Sequence, residues 1–342
     1  MSKIITFGEV MLRFNPEGYL RLVQAEKFEV NLAGGEANVS VSLANYGKDT
    51  AYVTKVPSHE IGDIVVREMR RNGVDTSYIV RGGKRLGTFY LEKGASQRAS
   101  KVIYDRENSA IAEAKPEEFN WKEIFKDAKW FHFTGITPAL SQNMVDACLD
   151  ACKTAKEMGV TVSCDLNYRS KLWSKEEANK VMTQLMQYVD VCIANEQDAS
   201  DVFGINAEHT DIDGGKLDYD AYIDVARQLT EKFGFKKVAI TLRGSISASR
   251  NTWAGMLYDG ETDKAEFSKE YDILIVDRVG GGDSFGGGLI YALTSEYDDK
   301  KAIEFAAAAS CLKHTIEHDF NLVSVKEVET LMNGNGSGRV QR

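Results

Sequence analysis

The sequence predicts an α/β fold in which a mostly parallel sheet is covered by helices and a smaller β-sheet projects from it. Two observations predict it. From residue 129 onward, short apolar runs alternate with segments of helical periodicity, the rhythm of parallel strands joined by crossover helices. Near 10–33 and 84–107 the period instead falls to two, the pattern of short strands and turns. The 342 residues contain no internal repeat and no linker rich in Pro, Gly or Ser. Residues 1–332 are therefore expected to form a single domain, and the low-complexity NGNGSGRVQR at 333–342 a flexible tail.

Each element has its own reason. IITFGE opens the chain as an apolar strand running into Gly8. GGEANVSVSLANYG reads as a tight turn and a helix, with Ala37, Val41 and Ala44 on one stripe and Gly47 as its stop. TAYVTKV is a strand, and IGDIVVREMRRNG a helix closed by its own glycine. The second alternating patch runs from GTFYLEKG to SKVIYDREN, and KWFHFT at 129–134 follows as a buried strand. Helix SQNMVDACLDACKTAKEMG, strand VTVSCDLN, helix SKEEANKVMTQLMQYV and strand DVCIAN come next. Helix YDAYIDVARQLTEKFG and strand KKVAITLRG continue the rhythm. SASRNTWAGMLYDG and KAEFSK are late strands, with helices near 284–294, 299–313 and 324–331.

Composition narrows the function class. Hydrophobic residues at 43% and charged ones at 27% match a soluble globular protein. Acidic residues outnumber basic ones 51 to 42, and no Lys/Arg block of five or more is present, which argues against a nucleic-acid partner. Local arginines can still hold a small anion. The five cysteines form no C-x-x-C and read as reduced core thiols; the five histidines show no metal-binding spacing. No apolar run reaches membrane-spanning length and the start lacks a signal-peptide pattern, so a cytoplasmic protein without a membrane partner is expected.

The stretch DRVGGGDSFGGG, Asp277 to Gly288, carries the chemistry. A dinucleotide fingerprint would need glycine at Phe285, and a P-loop would need Lys and Ser/Thr after Gly287; neither fits. Glycines at a helix entrance let backbone N–H groups converge, and the helix dipole adds positive potential there. Asp283 at that entrance reads either as an N-cap or as a proton acceptor beside a phosphate. Gly286, Gly287 and Gly288 would allow close approach of a neighbouring helix or ligand.

These residues resemble the C-terminal motif D-T-x-G-A-G-D-x-F of the ribokinase-like carbohydrate kinases. GEVMLRF after the first strand, GGEAN, the NEQD after a mid-chain strand and TLRGS match further family landmarks in order, over nearly the whole chain. The resemblance implies a three-layer α/β/α domain with a β-sheet lid from the two alternating patches. It also implies ATP and Mg²⁺ as cofactors. Asp283 would be the general base, with the amides of Gly280, Gly281, Gly282 and Asp283 as the anion hole. Gly34, Gly35 and Asn38 match the sugar-contact turn. Tyr90, Tyr104, Arg106, Ile136, Arg169 and Asp319 match substrate positions of the 2-keto-3-deoxygluconate kinases, whose substrate carries a carboxylate that arginine forks can hold. Asn195 and Asp198 occupy the N-x-x-E positions that organise Mg²⁺ through water, with aspartate replacing glutamate. Thr241, Arg243 and Gly244 match a phosphate-contacting strand end, and adenine contacts are expected around Ala307, Ala308 and the loop before Asp277. Arg278 stands where threonine is common. A fructokinase, a kinase of another keto sugar acid, and a non-catalytic sugar sensor are the alternatives; the retained Asp283 argues against the last. The family further implies a homo-oligomer paired through lid strands.

Overall fold

The computed structural model describes residues 3–195, 197–206, 219–334 and 336. Most of the expected tail, 335 and 337–342, lies outside them. The chain opens with β1 (Lys3–Phe7), β2 (Met11–Asn15), β3 (Glu29–Ala33), α1 (Gly35–Asn45), β4 (Thr50–Val56), α2 (Glu60–Arg71) and β5 (Ile79–Arg81). It continues through β6 (Gly87–Glu92), β7 (Lys101–Asp105), α3 (Trp121–Ile124), β8 (Ala128–Thr134), α4 (Gln142–Glu157), β9 (Thr161–Asp165), α5 (Lys175–Met186), β10 (Val191–Asn195) and α6 (Asp198–Phe203). The last part holds α7 (Tyr219–Phe233), β11 (Lys237–Ser247), β12 (Arg250–Asp259), β13 (Lys264–Phe267), β14 (Tyr271–Leu274), α8 (Gly281–Leu293), α9 (Asp299–Lys313) and α10 (Val325–Met332).

The large sheet runs β13-β12-β11-β10-β9-β8-β1-β4-β5, with β14 also paired to β12. From β5 to β11 every pairing is parallel, while β12, β13 and β14 join antiparallel. Strand order reverses beside β1, the kind of position where open α/β sheets bind ligands at strand C-termini. Side chains of β10 alternate between two apolar clusters: Cys192 and Ala194 join one, Val191 and Ile193 the other. Both faces of the sheet are therefore buried, as parallel strands require. All five cysteines are free thiols, four of them buried. No helix among the described residues is long and apolar enough to cross a membrane.

The two alternating patches form a separate four-stranded sheet, β3-β2-β6-β7. β2 pairs antiparallel with β3 and parallel with β6, and β6 pairs antiparallel with β7.

Two local expectations need correction. The helix expected near 284–294 starts at Gly281, because the glycines that resemble helix breakers form its first turn. The short edge strand β14 was not legible, since four residues with one buried position give too little periodicity. The glycines inside α8 serve packing. A Cβ on Gly287 would lie 2.8 Å from Ser42 Cβ on α1, and one on Gly288 3.1 Å from Ala306 Cα on α9. That places α8 against both helices, with its N-terminus at the sheet's C-terminal edge.

Candidate active site

A cavity of about 450 Å³ lies where the C-terminal ends of β8, β9, β10 and β11 face the small sheet and the start of α8. Its lining includes Gly34, Gly35, Asn38, Tyr104, Arg106, Ile136, Arg169, Asn195, Asp198, Thr241, Arg243, Gly280, Gly281, Gly282, Asp283 and Asp319. Tyr90 and Gly244 are not among the lining residues.

The start of α8 is built by steric necessity. Gly280 is the N-cap with φ of 81°, and a Cβ there would lie 2.3 Å from the Asp319 carbonyl oxygen. A Cβ on Gly281 would lie 2.4 Å from the His314 ring, whereas one on Gly282 meets nothing within 4 Å. Asp283 is thus the third helical residue and does not serve as N-cap. Its Oδ2 instead accepts a 2.6 Å hydrogen bond from Asn38 Nδ2 on α1. Burial, then the nearby Asp319, pushes its pKa up to about 6, against the pull of the Asn38 bond, Arg169 and Lys313. A carboxylate titrating there can accept a proton near neutrality. Beside it, the amides of Gly282 and Asp283 have no acceptor among the described residues, while Gly281 N–H reaches the Arg278 carbonyl at 3.4 Å. Free first-turn amides with a helix dipole behind them favour an anion.

The small sheet supplies the opposite wall. Strand pairing sets Phe89 opposite Tyr104 and Tyr90 opposite Ile103. Phe89 and Tyr104 therefore face the cavity, and Tyr90 packs on the outer face with Phe14 at 5.3 Å and Phe28 at 5.7 Å. The expected pocket role of Tyr90 is corrected for that reason. Arg106 sits under Tyr104, its guanidinium 5.3 Å from the ring. It is not a free fork: Nε donates to Glu9 Oε2 at 2.8 Å and Nη2 donates to the same oxygen. Ser109 donates to Glu9 Oε1 at 2.6 Å and completes the clasp. The Ile136 amide donates to Thr134 Oγ1 at 3.2 Å. Gly34 allows close approach, since a Cβ there would lie 2.2 Å from the Glu9 carbonyl oxygen.

Asp319 lines the cavity, but its Oδ2 is held by Arg13 Nη1 at 2.6 Å. The other arm of that fully buried arginine reaches Asp277 Oδ2 at 2.5 Å. Asp319 therefore braces the glycine turn from behind.

At the far end, Asn195 Oδ1 accepts from the amides of Gln197 and Asp198, at 2.8 and 3.0 Å. Asp198 accepts from the amides of Tyr168 and Asn195, at 3.1 and 3.2 Å. Gly244 faces β12, where a Cβ would lie 2.5 Å from Thr252 Oγ1, so its expected ligand contact is corrected by the strand's own pairing. Ala307 and Ala308 are fully buried and offer no surface to a purine. Several lining residues escaped the sequence reading: Glu9, Asp165, Asn167 and His314; Arg278, singled out there without a role, lines the cavity too. Asp165 stood in view, two residues before Asn167 in DLNYR. Burial and the charges of Asp198 and Asp283 hold its carboxyl well above the usual range. Among the described residues no group of three or more His, Cys, Asp or Glu side chains is arranged to hold a metal.

Known proteins share this architecture. The chain is 51% identical to the crystal structure of 2-dehydro-3-deoxygluconokinase from Thermotoga maritima, with a TM-score of 0.94, over 98% of this chain and 100% of that one. It is 33% identical to a 2-dehydro-3-deoxygalactonokinase of Haloferax volcanii, over 98% of each. A 2-dehydro-3-deoxygluconokinase of Bacillus subtilis is 27% identical over 94% of this chain and 93% of the relative. The model of the pfkB family carbohydrate kinases matches residues 1–317. With its ribokinase-like sheet, small second sheet and glycine-led α8, the chain belongs to the pfkB family of carbohydrate kinases.

Proposed function

We propose that this kinase transfers the γ-phosphoryl group of ATP to the primary hydroxyl of 2-keto-3-deoxygluconate (2-dehydro-3-deoxygluconate), giving the 6-phosphate. One observation carries the reading. The Asp283 carboxylate borders the cavity beside unpaired first-turn amides, with Arg106 and Arg169 on the same cavity. The carboxylate accepts the hydroxyl proton as the new O–P bond forms, a contribution of roughly 10²–10⁴ in rate. The amides of the glycine turn meet the charge that develops on the transferring group. Asn38 holds the base in place, and Arg169 and the uncommitted edge of Arg106 meet the sugar carboxylate.

The oxygen-rich corner of Asp165, Asp198 and Asn195 fits Mg²⁺, which takes carboxylates, waters and phosphate oxygens in preference to an all-protein cage. The crowding that raises the Asp165 pKa would be relieved by a divalent cation. Such an ion would supply charge neutralisation at the phosphates. Residues 1–332 act as one domain, with the small sheet as lid. The enzyme works in the cytoplasm as a homo-oligomer paired through that sheet, whose outer face exposes Val30 and Ile103.

The Haloferax relative favours a second reading, the galactonate-derived epimer as substrate. A phosphorylation panel with both epimers, fructose and ribose decides between them. A kcat/KM at least tenfold higher for one keto acid than for fructose is expected. Equal use of fructose would sink the sugar-acid assignment and favour a fructokinase.

A further inference from the structure

The cavity has a cationic end for which the lining offers no counter-ion. Arg243 on β11 and Arg278, just before the glycine turn, both line it. Arg243 is exposed, and among the described residues neither arginine has a carboxylate within ion-pair distance. Asp277 is the acidic neighbour, but its carboxylate is already taken by Arg13 and by the Val279 amide. Arg278 is pinned at one corner, where Nη2 donates to the Ala248 carbonyl at 3.0 Å. Its Nε is buried and has no hydrogen-bond partner among the described residues. Burial first, then the charge of Arg243, holds the Arg278 pKa below its ordinary value.

Two guanidinium groups that repel one another at the rim of a cavity leave a buried donor and part of their charge unmatched by the described residues. An unpaired buried donor costs stability, and the neighbouring like charge of Arg243 adds to that cost. A polyanion would relieve both.

We propose that Arg278 is a catalytic residue that binds the diphosphate portion of the nucleotide, forming a two-arginine clamp with Arg243. The inference rests on the kinase reading above. The anion hole at Gly282 and Asp283 would take the transferring group. Arg278 lines the same cavity beside Arg243, ahead of the glycine turn, and in this arrangement would meet the portion that departs. As the bond between the γ-phosphorus and the bridging oxygen breaks, its electron pair moves to that oxygen. The proton of the attacking hydroxyl goes to Asp283. Arg278 then neutralises the charge that collects on the departing diphosphate, where a planar fork matches phosphate oxygens.

The test compares the wild-type protein with Arg278→Gln and Arg278→Lys by titration with ATP, ADP and AMP, together with turnover and melting. The expected result is a tenfold or greater loss of ATP and ADP affinity in Arg278→Gln, with AMP changed less than twofold. kcat should fall as well, and Arg278→Lys should recover part of both. Without nucleotide, Arg278→Gln should melt no lower than wild type, because the repulsion with Arg243 is gone. Should Arg278→Gln prove poorly folded, Arg278→Lys still decides, through a weakened competition by tripolyphosphate. Unchanged ATP and ADP affinity in a folded variant, or an equal loss for AMP, would overturn the assignment while leaving the kinase reading intact. A wild-type protein that bound no adenine nucleotide would overturn both.

Discussion

At the scale of single residues, Asp283 is the side chain on which most rests. Replacing it by asparagine keeps the shape and the Asn38 neighbour but removes the proposed proton acceptor. Turnover should fall at least about 100-fold, while ATP affinity measured by calorimetry stays within a small factor of wild type. Because its pKa sits at about 6, kcat/KM should drop as pH falls through that value in the wild-type enzyme. Glu36 offers a stability test with the opposite pH trend. Its Oε1 accepts from Thr134 N, Thr134 Oγ1 and Thr137 Oγ1, and burial lifts its pKa to about 7. A carboxyl whose folded pKa is raised contributes stability below its unfolded value of about 4.5 and loses it as pH climbs through 7. Glu36→Gln keeps the accepting oxygen and cannot ionise. Urea midpoints at pH 5.5 and pH 8 should therefore differ less in the variant than in wild type; an equal difference would show that Glu36 does not titrate there. How far such residues were legible depended on range. Asp283, Asn38 and Arg169 stood in motifs, whereas the Glu9 grip on Arg106 spans 97 positions and leaves no local trace. Tyr90 misled because it adjoins Phe89. Two aromatics in succession on an extended strand do not reveal which one faces inward.

At the scale of elements, α8 combines two demands that sequence patterning reads as conflict. Its glycines lower helix propensity, yet Gly281, Gly287 and Gly288 have a steric reason, Gly282 faces open space and a Cβ on Gly286 would meet only ordinary contacts. That difference sorts them experimentally. On Gly287 an added carbon would lie 2.8 Å from Ser42 Cβ, so Gly287→Val should overpack the contact between α1 and α8. A loss of about 1–3 kcal/mol is expected from denaturant titration. On Gly282 the added carbon meets nothing within 4 Å. Gly282→Ala should fold at least as well as wild type and yet lose tenfold or more in kcat, because its methyl would occupy open space beside the proposed seat of the phosphoryl group. Full activity in Gly282→Ala would place the phosphoryl group elsewhere. The parallel strands and most helices were readable, since apolar period and turn residues agree over long stretches. The start of α8 was not, because its first turn is made of residues that elsewhere stop helices.

At the scale of the whole molecule, the small sheet and the glycine turn are joined by one buried side chain. Arg13 rises from β2, is fully buried, and reaches across to Asp277 and Asp319 on either side of the turn that opens α8. Asp319 in turn backs Gly280 so closely that no side chain fits between them. Lys313, also fully buried, lies near the Asp277 and Ile316 carbonyls and balances the second carboxylate. The position of the small sheet and the geometry of the glycine turn are thereby set by the same interaction. Arg13→Met fills similar volume but takes the guanidinium from two buried carboxylates, leaving them to Lys313 and to Lys93, 3.8 Å from Asp277. Removing one partner of a buried ion pair costs about 3–5 kcal/mol, so a destabilisation of that order is expected in urea. The kinetic consequence separates bracing from mere stability. If Arg13 aligns the turn, Arg13→Lys, which keeps the charge but not the fork, should lose kcat more than it loses melting temperature. It should leave KM for the sugar acid nearly unchanged. A variant that melts lower but turns over normally would mean the two sheets are tied together without the catalytic turn depending on the tie.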